Sequence, residues 1–361
     1  MKICCLISSL RLGGAERQMV GLACALAAGG HQVCVVTYRQ GNFYEKKLEE
    51  RGVEHILIHE SSTASIVREI SAIVKESGIQ LVISFLNGAN IKACFIKKQC
   101  PDLHLIVSER NNNTSIMPHD LFRFLLFKKY ADAVVCNSYA QEAFLKRFVP
   151  FLIEKVTAIP NSVDTGYFTP TSRLASEKEQ RIIVTARVCR RKNASGLIKA
   201  AAILRHRRND FAVDWYGLVS DNRYSRYCRR IIRKYSLENV FFIHGASDRV
   251  QELYRNSDIF CLPSYYEGTS NSLAEALSCG LPVVCSKVSD NPVYVREGSN
   301  GFLFNPRNAR EMAAALEKAL DLEPSRKKEF GERSRAVAER SFGIDRMFYD
   351  YETVIEGLPH S

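Results

Sequence analysis

Residues 259–284, IFCLPSYYEGTSNSLAEALSCGLPVV, read as strand, glycine-containing loop, helix and strand. The apolar run 259–262 has turn residues behind it. Ser270 or Asn271 can cap a helix whose apolar face is Leu273, Ala276 and Leu277. Gly280 and Pro282 stop that helix. In such a unit the helix N-terminus offers free backbone N–H groups and a partial positive charge to an anion, and Gly268 lets the backbone come close to it. Phosphate is the obvious ligand. Glu267 and Glu275 are eight residues apart, so one carboxylate sits on the loop and the other within the helix. A carboxylate repels phosphate but accepts hydrogen bonds from hydroxyls, which suits a sugar or a ribose. Taken alone, an ordinary strand–loop–helix with solvated glutamates would read the same way.

The rest of the chain surrounds this unit with more of its kind. At 361 residues it is too long for one typical core and comfortable for two. The 46% hydrophobic and 25% charged content is that of a soluble globular protein. The opening MKICCLISSL reads as a first strand rather than a signal peptide, and no run of 18 apolar residues occurs. Twelve cysteines are scattered through apolar patterns, as Cys5, Cys34, Cys136 and Cys261 are, which fits buried thiols in a reducing cytoplasm. Their spacing predicts no structural zinc. The formal charge of +11 favours anionic partners, whether nucleic acid, anionic lipid or phosphorylated substrate. Charge alone does not choose among them.

Strand 2–8, a loop around Gly13 and Gly14, helix 15–28 and strand 31–37 form a unit with parallel strands and a crossover. The Gly13-Gly14 loop lacks the Gly-x-Gly-x-x-Gly spacing of a dinucleotide site, which weakens a dehydrogenase reading. Further strands are expected at 54–58, 80–85, 103–107, 132–136 and 155–159, with helical patterns between most of them, giving a doubly wound α/β domain. Two loops behind strands stand out, 85–90 and the polar 108–114, SERNNNT. Residues 160–180 carry breaks at Pro160, Gly166 and Pro170 and read as a linker. The alternation then resumes with strands at 181–186, 211–216 and 239–243 and helices at 193–207, 223–235 and 247–255.

Directly after strand 181–186 come Arg187 and, in RVCRRKN, Lys192. A cation pair at a strand's carboxyl end suits a diphosphate leaving group, whose charge grows as its bond breaks. Solvated surface charge is the bland alternative. No Asp-x-Asp pair occurs, so no divalent metal or other cofactor is expected, and cations with a helix N-terminus would do the metal's work. The tail 310–356 is helical in pattern, interrupted at Gly331 and Gly343. Residues 119–130, HDLFRFLLFKKY, place six large apolar residues in the seven positions 121–127 beside Arg123, Lys128 and Lys129. Such a helix is either buried on most sides or partly lipid-facing.

The Glu-x7-Glu spacing followed by Ala-Leu-Ser-Cys-Gly-Leu-Pro-Val-Val resembles the donor-site signature of the family 4 retaining glycosyltransferases, of GT-B fold. Asn291-Pro292 and residues 301–304, GFLF, match as well. The resemblance implies two Rossmann-like doubly wound domains facing a cleft: 1–165 on the acceptor side, a linker 166–180, a nucleotide-sugar domain 181–340, and a last helix in 341–361 crossing back to the first domain. It also implies roles. Glu267 would contact the donor sugar, the loop amides of Gly268, Thr269, Ser270 and Asn271 would hold the diphosphate, and Glu275 would bind the ribose. Gly13 and Gly14 would face the donor phosphates. Arg187 and Lys192 would stabilise the leaving diphosphate as the catalytic cations, with Arg190 and Arg191 left in solvent. Pro-Asn-Ser-Val-Asp at 160–164 is similar to the family's Pro-Asn-Gly-Val-Asp, with Ser162 for glycine.

On the acceptor side many relatives carry a histidine near position 109. Here Glu109, Arg110 and Asn111 stand instead, as in members that build bacterial surface glycans. They are the acceptor candidates, or else a salt-bridged structural loop. The implied reaction moves a sugar from a nucleoside diphosphate, with UDP expected, to a hydroxyl of a lipid-linked glycan. A cytoplasmic protein, peripheral on an anionic membrane, would follow. A nucleotide-sugar epimerase of the same fold is the alternative enzyme. A nucleic-acid-binding protein ranks last, since the cations are spread out and no such motif is present.

Overall fold

The computed structural model describes residues 1–110, 113, 115–171 and 179–359. The chain forms two compact units, one of residues 1–162 with the chain from Ile344 onward, the other Val163–Gly343. Each is a parallel sheet flanked by helices. The first sheet comprises β1 (Lys2–Leu6), β2 (Gln32–Thr37), β3 (Glu54–Leu57), β4 (Leu81–Phe85), β5 (His104–Glu109), β6 (Ala133–Cys136) and β7 (Val156–Ala158). Their order among the described residues is β3-β2-β1-β4-β5-β6-β7. The second comprises β8 (Gln180–Thr185), β9 (Phe211–Tyr216), β10 (Phe241–His244), β11 (Ile259–Leu262), β12 (Val283–Ser286) and β13 (Gly301–Phe304), ordered β10-β9-β8-β11-β12-β13. The strands are near-continuous apolar runs because helices cover both faces, as in Leu81–Phe85, where all five residues are buried. In each sheet the winding reverses once, between β1 and β4 and between β8 and β11. At such a reversal the loops leaving the two strands diverge and leave a crevice at their carboxyl ends, where ligands of this architecture gather.

Three expectations about boundaries shift. The chain enters the second unit at Val163 rather than after 165, and the described part of 166–180 is not a free linker. Val163 and Phe168 are buried in the second core with Tyr254 and Phe342. Arg335 donates to the carbonyls of Phe168 (2.7 Å) and Thr165 (3.0 Å), and Arg255 to that of Thr169 (3.0 Å). Apolar side chains and satisfied carbonyls bind this segment where its turn residues suggested slack. The tail breaks ahead of Pro324 instead of at Gly331, giving the helices Ala309–Leu320, Pro324–Phe342 and Ile344–Glu356. Gly331 lies inside the helix Pro324–Phe342, and the position takes glycine because a Cβ there would meet the Gly280 carbonyl oxygen at 2.4 Å, Gly280 itself being left-handed (φ +71°). The exchange return to the first unit falls at Gly343/Ile344, and Met347, Tyr351 and Ile355 are buried in that unit's core beside Val20 and Leu26. Ser162, replacing a glycine, is clamped by Gln18, whose Oε1 accepts from its backbone N–H at 2.7 Å. All twelve cysteines are free.

Candidate active site

The second unit's reversal brings together the two stretches singled out in the sequence. Leaving β8, the chain passes Arg187 and makes a short 3-10 turn, Arg190–Lys192, ended by Asn193 in the left-handed conformation (φ 58°). Asn193 is fully buried. Its Oδ1 accepts from the Gly196 N–H (3.1 Å), capping the helix Ala194–Arg205, while its Nδ2 donates to the carbonyls of Pro263 (3.0 Å) and Pro306 (2.9 Å). One side chain thus fastens the basic turn to the loop that leaves β11. A second stitch is the Tyr265 N–H donating to the Arg191 carbonyl at 2.9 Å. An asparagine ahead of an apolar-periodic stretch is a readable cap signal, but its two long-range bonds have no local signature.

Glu267 sits on the β11 loop, 4% exposed. Lys192 Nζ donates to its Oε1 at 2.5 Å and Arg191 Nη1 to its Oε2 at 3.1 Å. Arg191 is therefore part of this cluster rather than a solvent-facing residue: a buried carboxylate needs its charge met on both oxygens. Arg190 is exposed, as expected. Arg187 is also exposed and has no ion-pair partner among the described residues. Gly268, Thr269 and Ser270 lead into the helix Asn271–Ser278, whose N-cap Ser270 places no side-chain oxygen on the first-turn amides. One turn into that helix, buried Glu275 accepts from the Tyr254 hydroxyl at 2.9 Å. Burial, then the Glu275 charge, pushes the Tyr254 hydroxyl well above its ordinary value, so it stays protonated and donates. The same hydroxyl lies 2.5 Å from Oγ1 of Thr185, the last residue of β8. An exposed cation, a paired lysine, a helix N-terminus without a side-chain cap from Ser270 and two fixed carboxylates thus share one end of one sheet. That combination can meet a diphosphate and hydroxyl-rich groups together.

Two family models divide the chain: "Glycosyltransferase Family 4" matches residues 12–167 and "Glycosyl transferases group 1" matches 169–337. The chain belongs to the family 4 glycosyltransferases. As a family 4 glycosyltransferase of GT-B fold, it transfers a sugar from a nucleotide-sugar donor. It is 26% identical over 341 residues, 91% of each chain, to the GalNAc-alpha-(1->4)-GalNAc-alpha-(1->3)-diNAcBac-PP-undecaprenol alpha-1,4-N-acetyl-D-galactosaminyltransferase of Campylobacter jejuni. It is 23% identical over 371 residues, 95% of each chain, to spore coat protein SA of Bacillus subtilis. Among solved structures, Anabaena HepE in complex with UDP superposes with a TM-score of 0.86 at 19% identity, covering 99% of this chain and 100% of that one.

The first unit holds two donor-side candidates, Gly13 and Gly14, and the acceptor-side ones. Gly13 and Gly14 open the helix Gly14–Ala28, and the space over Gly13 is taken by the chain's own Glu16 carboxylate. Glu109 is completely buried: Arg123 Nη2 donates to it at 3.1 Å, with Arg123 Nη1 held by Asp120 at 2.8 Å. Burial pushes the Glu109 carboxyl up, against the pull of Arg123. Arg110 donates to Asn161 Oδ1 (2.9 Å) and the Tyr351 hydroxyl (3.0 Å) and lies 3.7 Å over the Phe85 ring. Both side chains thus have partners inside the first unit, Glu109 in an ion pair and Arg110, partly exposed, in hydrogen bonds. Asn111 lies outside the described residues. Among the described residues, no three His, Cys, Asp or Glu side chains are grouped to hold a metal ion, and no helix is long and apolar enough to cross a membrane.

Proposed function

We propose that this enzyme transfers a sugar from a UDP-sugar, with retention at the anomeric carbon, to a hydroxyl of a lipid-linked glycan in surface-polysaccharide or glycoconjugate synthesis. The observation that carries the donor half is the Arg191–Glu267–Lys192 cluster with exposed Arg187 beside it. In the reaction, the C1–O bond to the diphosphate breaks and the acceptor oxygen bonds to C1 on the same face. The acceptor's proton passes to the departing diphosphate oxygen. Arg187 and Lys192 stabilise the charge that grows there, the amides of residues 268–271 hold the same group, Glu267 holds sugar hydroxyls and Glu275 the ribose. The Campylobacter relative, named for a diphosphate-undecaprenol-linked glycan, supports the acceptor half.

A peripheral position on the cytoplasmic face of a membrane is part of this proposal. The helix Pro118–Tyr130 buries Phe124 and Phe127 but leaves Leu121, Phe122 and Leu125, with Met117 before it, about half exposed. Exposed Lys128 and Lys129 follow. Lipid-facing apolar side chains flanked by cations suit an anionic bilayer, where each Lys or Arg contributes about 1 kcal/mol. A panel of UDP- and GDP-sugars tests the donor, since a ligand at 100 times its dissociation constant stabilises by about 2.7 kcal/mol. Absence of any shift with UDP-sugars would overturn it. Sedimentation with anionic liposomes tests the surface: a Phe122→Ser, Leu125→Ser variant should lose binding, and equal binding would refute the membrane part alone.

A further inference from the structure

The first sheet reverses its winding between β1 and β4, as the second does between β8 and β11, and the first unit's reversal also carries cations that have no ion-pair partner among the described residues. The loops leaving β1 and β2 are tied together. The Tyr38 N–H donates to the Ser8 carbonyl (3.3 Å), the Leu10 N–H to that of Gly41 (3.2 Å), and Arg11 Nε to that of Gln40 (2.9 Å). Gly41 sits at φ +152°, and a Cβ there would strike the Arg11 side chain at 2.4 Å, so the tie brings Arg11 against the segment holding Arg39. From the other side of the reversal comes the helix Asn87–Gln99, entered through Leu86 at φ 76°, ψ 148° and without a side-chain cap. One turn along it, Lys92 lays its ammonium 4.5 Å from the centroid of the nearly buried Tyr38 ring. Gly88 passes over the same tyrosine, its Cβ position 3.3 Å from the hydroxyl.

Arg11, Arg39 and Lys92 have no ion-pair partner among the described residues. Burial, then the Arg39 charge, pulls the Lys92 ammonium below its ordinary value, and no carboxylate offsets the two. Like charges assembled at a sheet's carboxyl end without a counter-charge leave room for a ligand's charge to complete the site. Lys92 is partly buried and folded onto an aromatic face.

We propose that Arg11 and Arg39, on the loops leaving β1 and β2, and Lys92, on the helix that follows β4, form a second anion site that takes the phosphate or diphosphate group of the acceptor. The site rests on the glycosyltransferase reading above and adds to it the part of the acceptor that is recognised by charge. The amides of the helix that begins at Asn87 add a favourable dipole. Tyr38 supplies a wall.

The test is calorimetric titration of inorganic pyrophosphate into the enzyme saturated with UDP, which occupies the donor cations of the second unit. One pyrophosphate per chain should bind, and Lys92→Ala and Arg39→Gln should each weaken it by about tenfold or more, the worth of one charge-assisted hydrogen bond. Lys92→Arg should retain it, and UDP affinity should not move in any of the three. Farnesyl diphosphate binding more tightly than pyrophosphate would assign the site to a lipid-linked diphosphate, and equal binding to a soluble phosphate. No saturable pyrophosphate binding in the presence of UDP, or equal binding by wild type and both charge-removing variants, would overturn the site. A wild type that fails to bind UDP would overturn the donor assignment alone. Pyrophosphate would then be titrated into an Arg187→Ala, Lys192→Ala variant, where loss on adding Lys92→Ala still supports this site and retention overturns it.

Discussion

Removing Arg187 and removing Lys192 should both cripple transfer, but only one should weaken the fold. Arg187 is exposed with no ion-pair partner among the described residues, so the unliganded protein does not lean on it. Arg187→Ala should therefore change stability by less than about 0.5 kcal/mol, the usual range for an exposed position. Its cost appears as the diphosphate departs: losing a charged group that acts in the transition state is worth roughly 2.7–4 kcal/mol, or two to three orders of magnitude in turnover. Lys192→Ala should lose as much in turnover and also leave Glu267, 4% exposed, with Arg191 alone. Removing one partner of a buried ion pair costs about 3–5 kcal/mol. Because Arg191 keeps hold of the second oxygen and its own side chain is 34% exposed, something near half of that, about 2 kcal/mol, is expected. The assay pairs UDP release at saturating donor and acceptor with urea unfolding of the same preparations. Wild-type turnover in either variant would remove that residue from the leaving-group role. Equal destabilisation in the two would refute the claim that Arg187 stands free while Lys192 is engaged.

Three further outcomes follow from the same geometry. Glu275→Ala should weaken UDP about tenfold or more, the cost of losing a charged hydrogen-bond acceptor, while Glu267→Ala should spare UDP and lower transfer; equal loss of UDP affinity by calorimetry would show the roles to be misassigned. Asn193→Gly keeps the left-handed turn but drops the cap and both carbonyl bonds, so it should cost about 2–3 kcal/mol in denaturant unfolding; wild-type stability would mean that the bolt between the basic turn and residues 263 and 306 contributes nothing. Transfer should persist in EDTA, since cations and helix amides meet the diphosphate charge; activity abolished by the chelator and restored by magnesium or manganese would contradict this.

The element that carries the candidate donor residues was legible in the sequence because its determinants are local. The apolar run 259–262, the glycine at 268 and the Glu-x7-Glu spacing lie within one strand–loop–helix, and the structure builds that element with Ser270 as N-cap. What the sequence hid were partners that are distant in the chain. Four basic residues among six, Arg187 to Lys192, look interchangeable in a row. Only the 3-10 turn and the Asn193 bolt turn Arg191 and Lys192 toward Glu267 and leave Arg187 and Arg190 outside. The same limit applies to Tyr254, whose hydroxyl orients Glu275 from 21 residues away, and to the 163–170 segment. There, turn residues suggested slack but Phe168 found a core and Arg335 found the carbonyls.

The helix Pro118–Tyr130 shows why polarity alone misplaces a face. With six apolar residues in positions 121–127, the intuitive arrangement buries the apolar ones and exposes Asp120 and Arg123. The structure does the reverse for both charges: Asp120 is 6% exposed and Arg123 2%, whereas Leu121, Phe122 and Leu125 are about half exposed. The cause is Glu109, at the end of β5 and completely buried. A carboxylate in that position costs several kcal/mol unless a cation reaches it, and Arg123 is the cation, with Asp120 one turn earlier holding its other nitrogen. Helical periodicity then fixes the rest. Positions 120, 123, 124 and 127 share one face at i, i+3, i+4 and i+7, so Phe124 and Phe127 go inward with the ion pairs and 121, 122 and 125 are turned out. One buried glutamate thus rotates the helix, and the rotation both encloses the Glu109–Arg123 pair and sets an apolar, lysine-flanked surface facing outward.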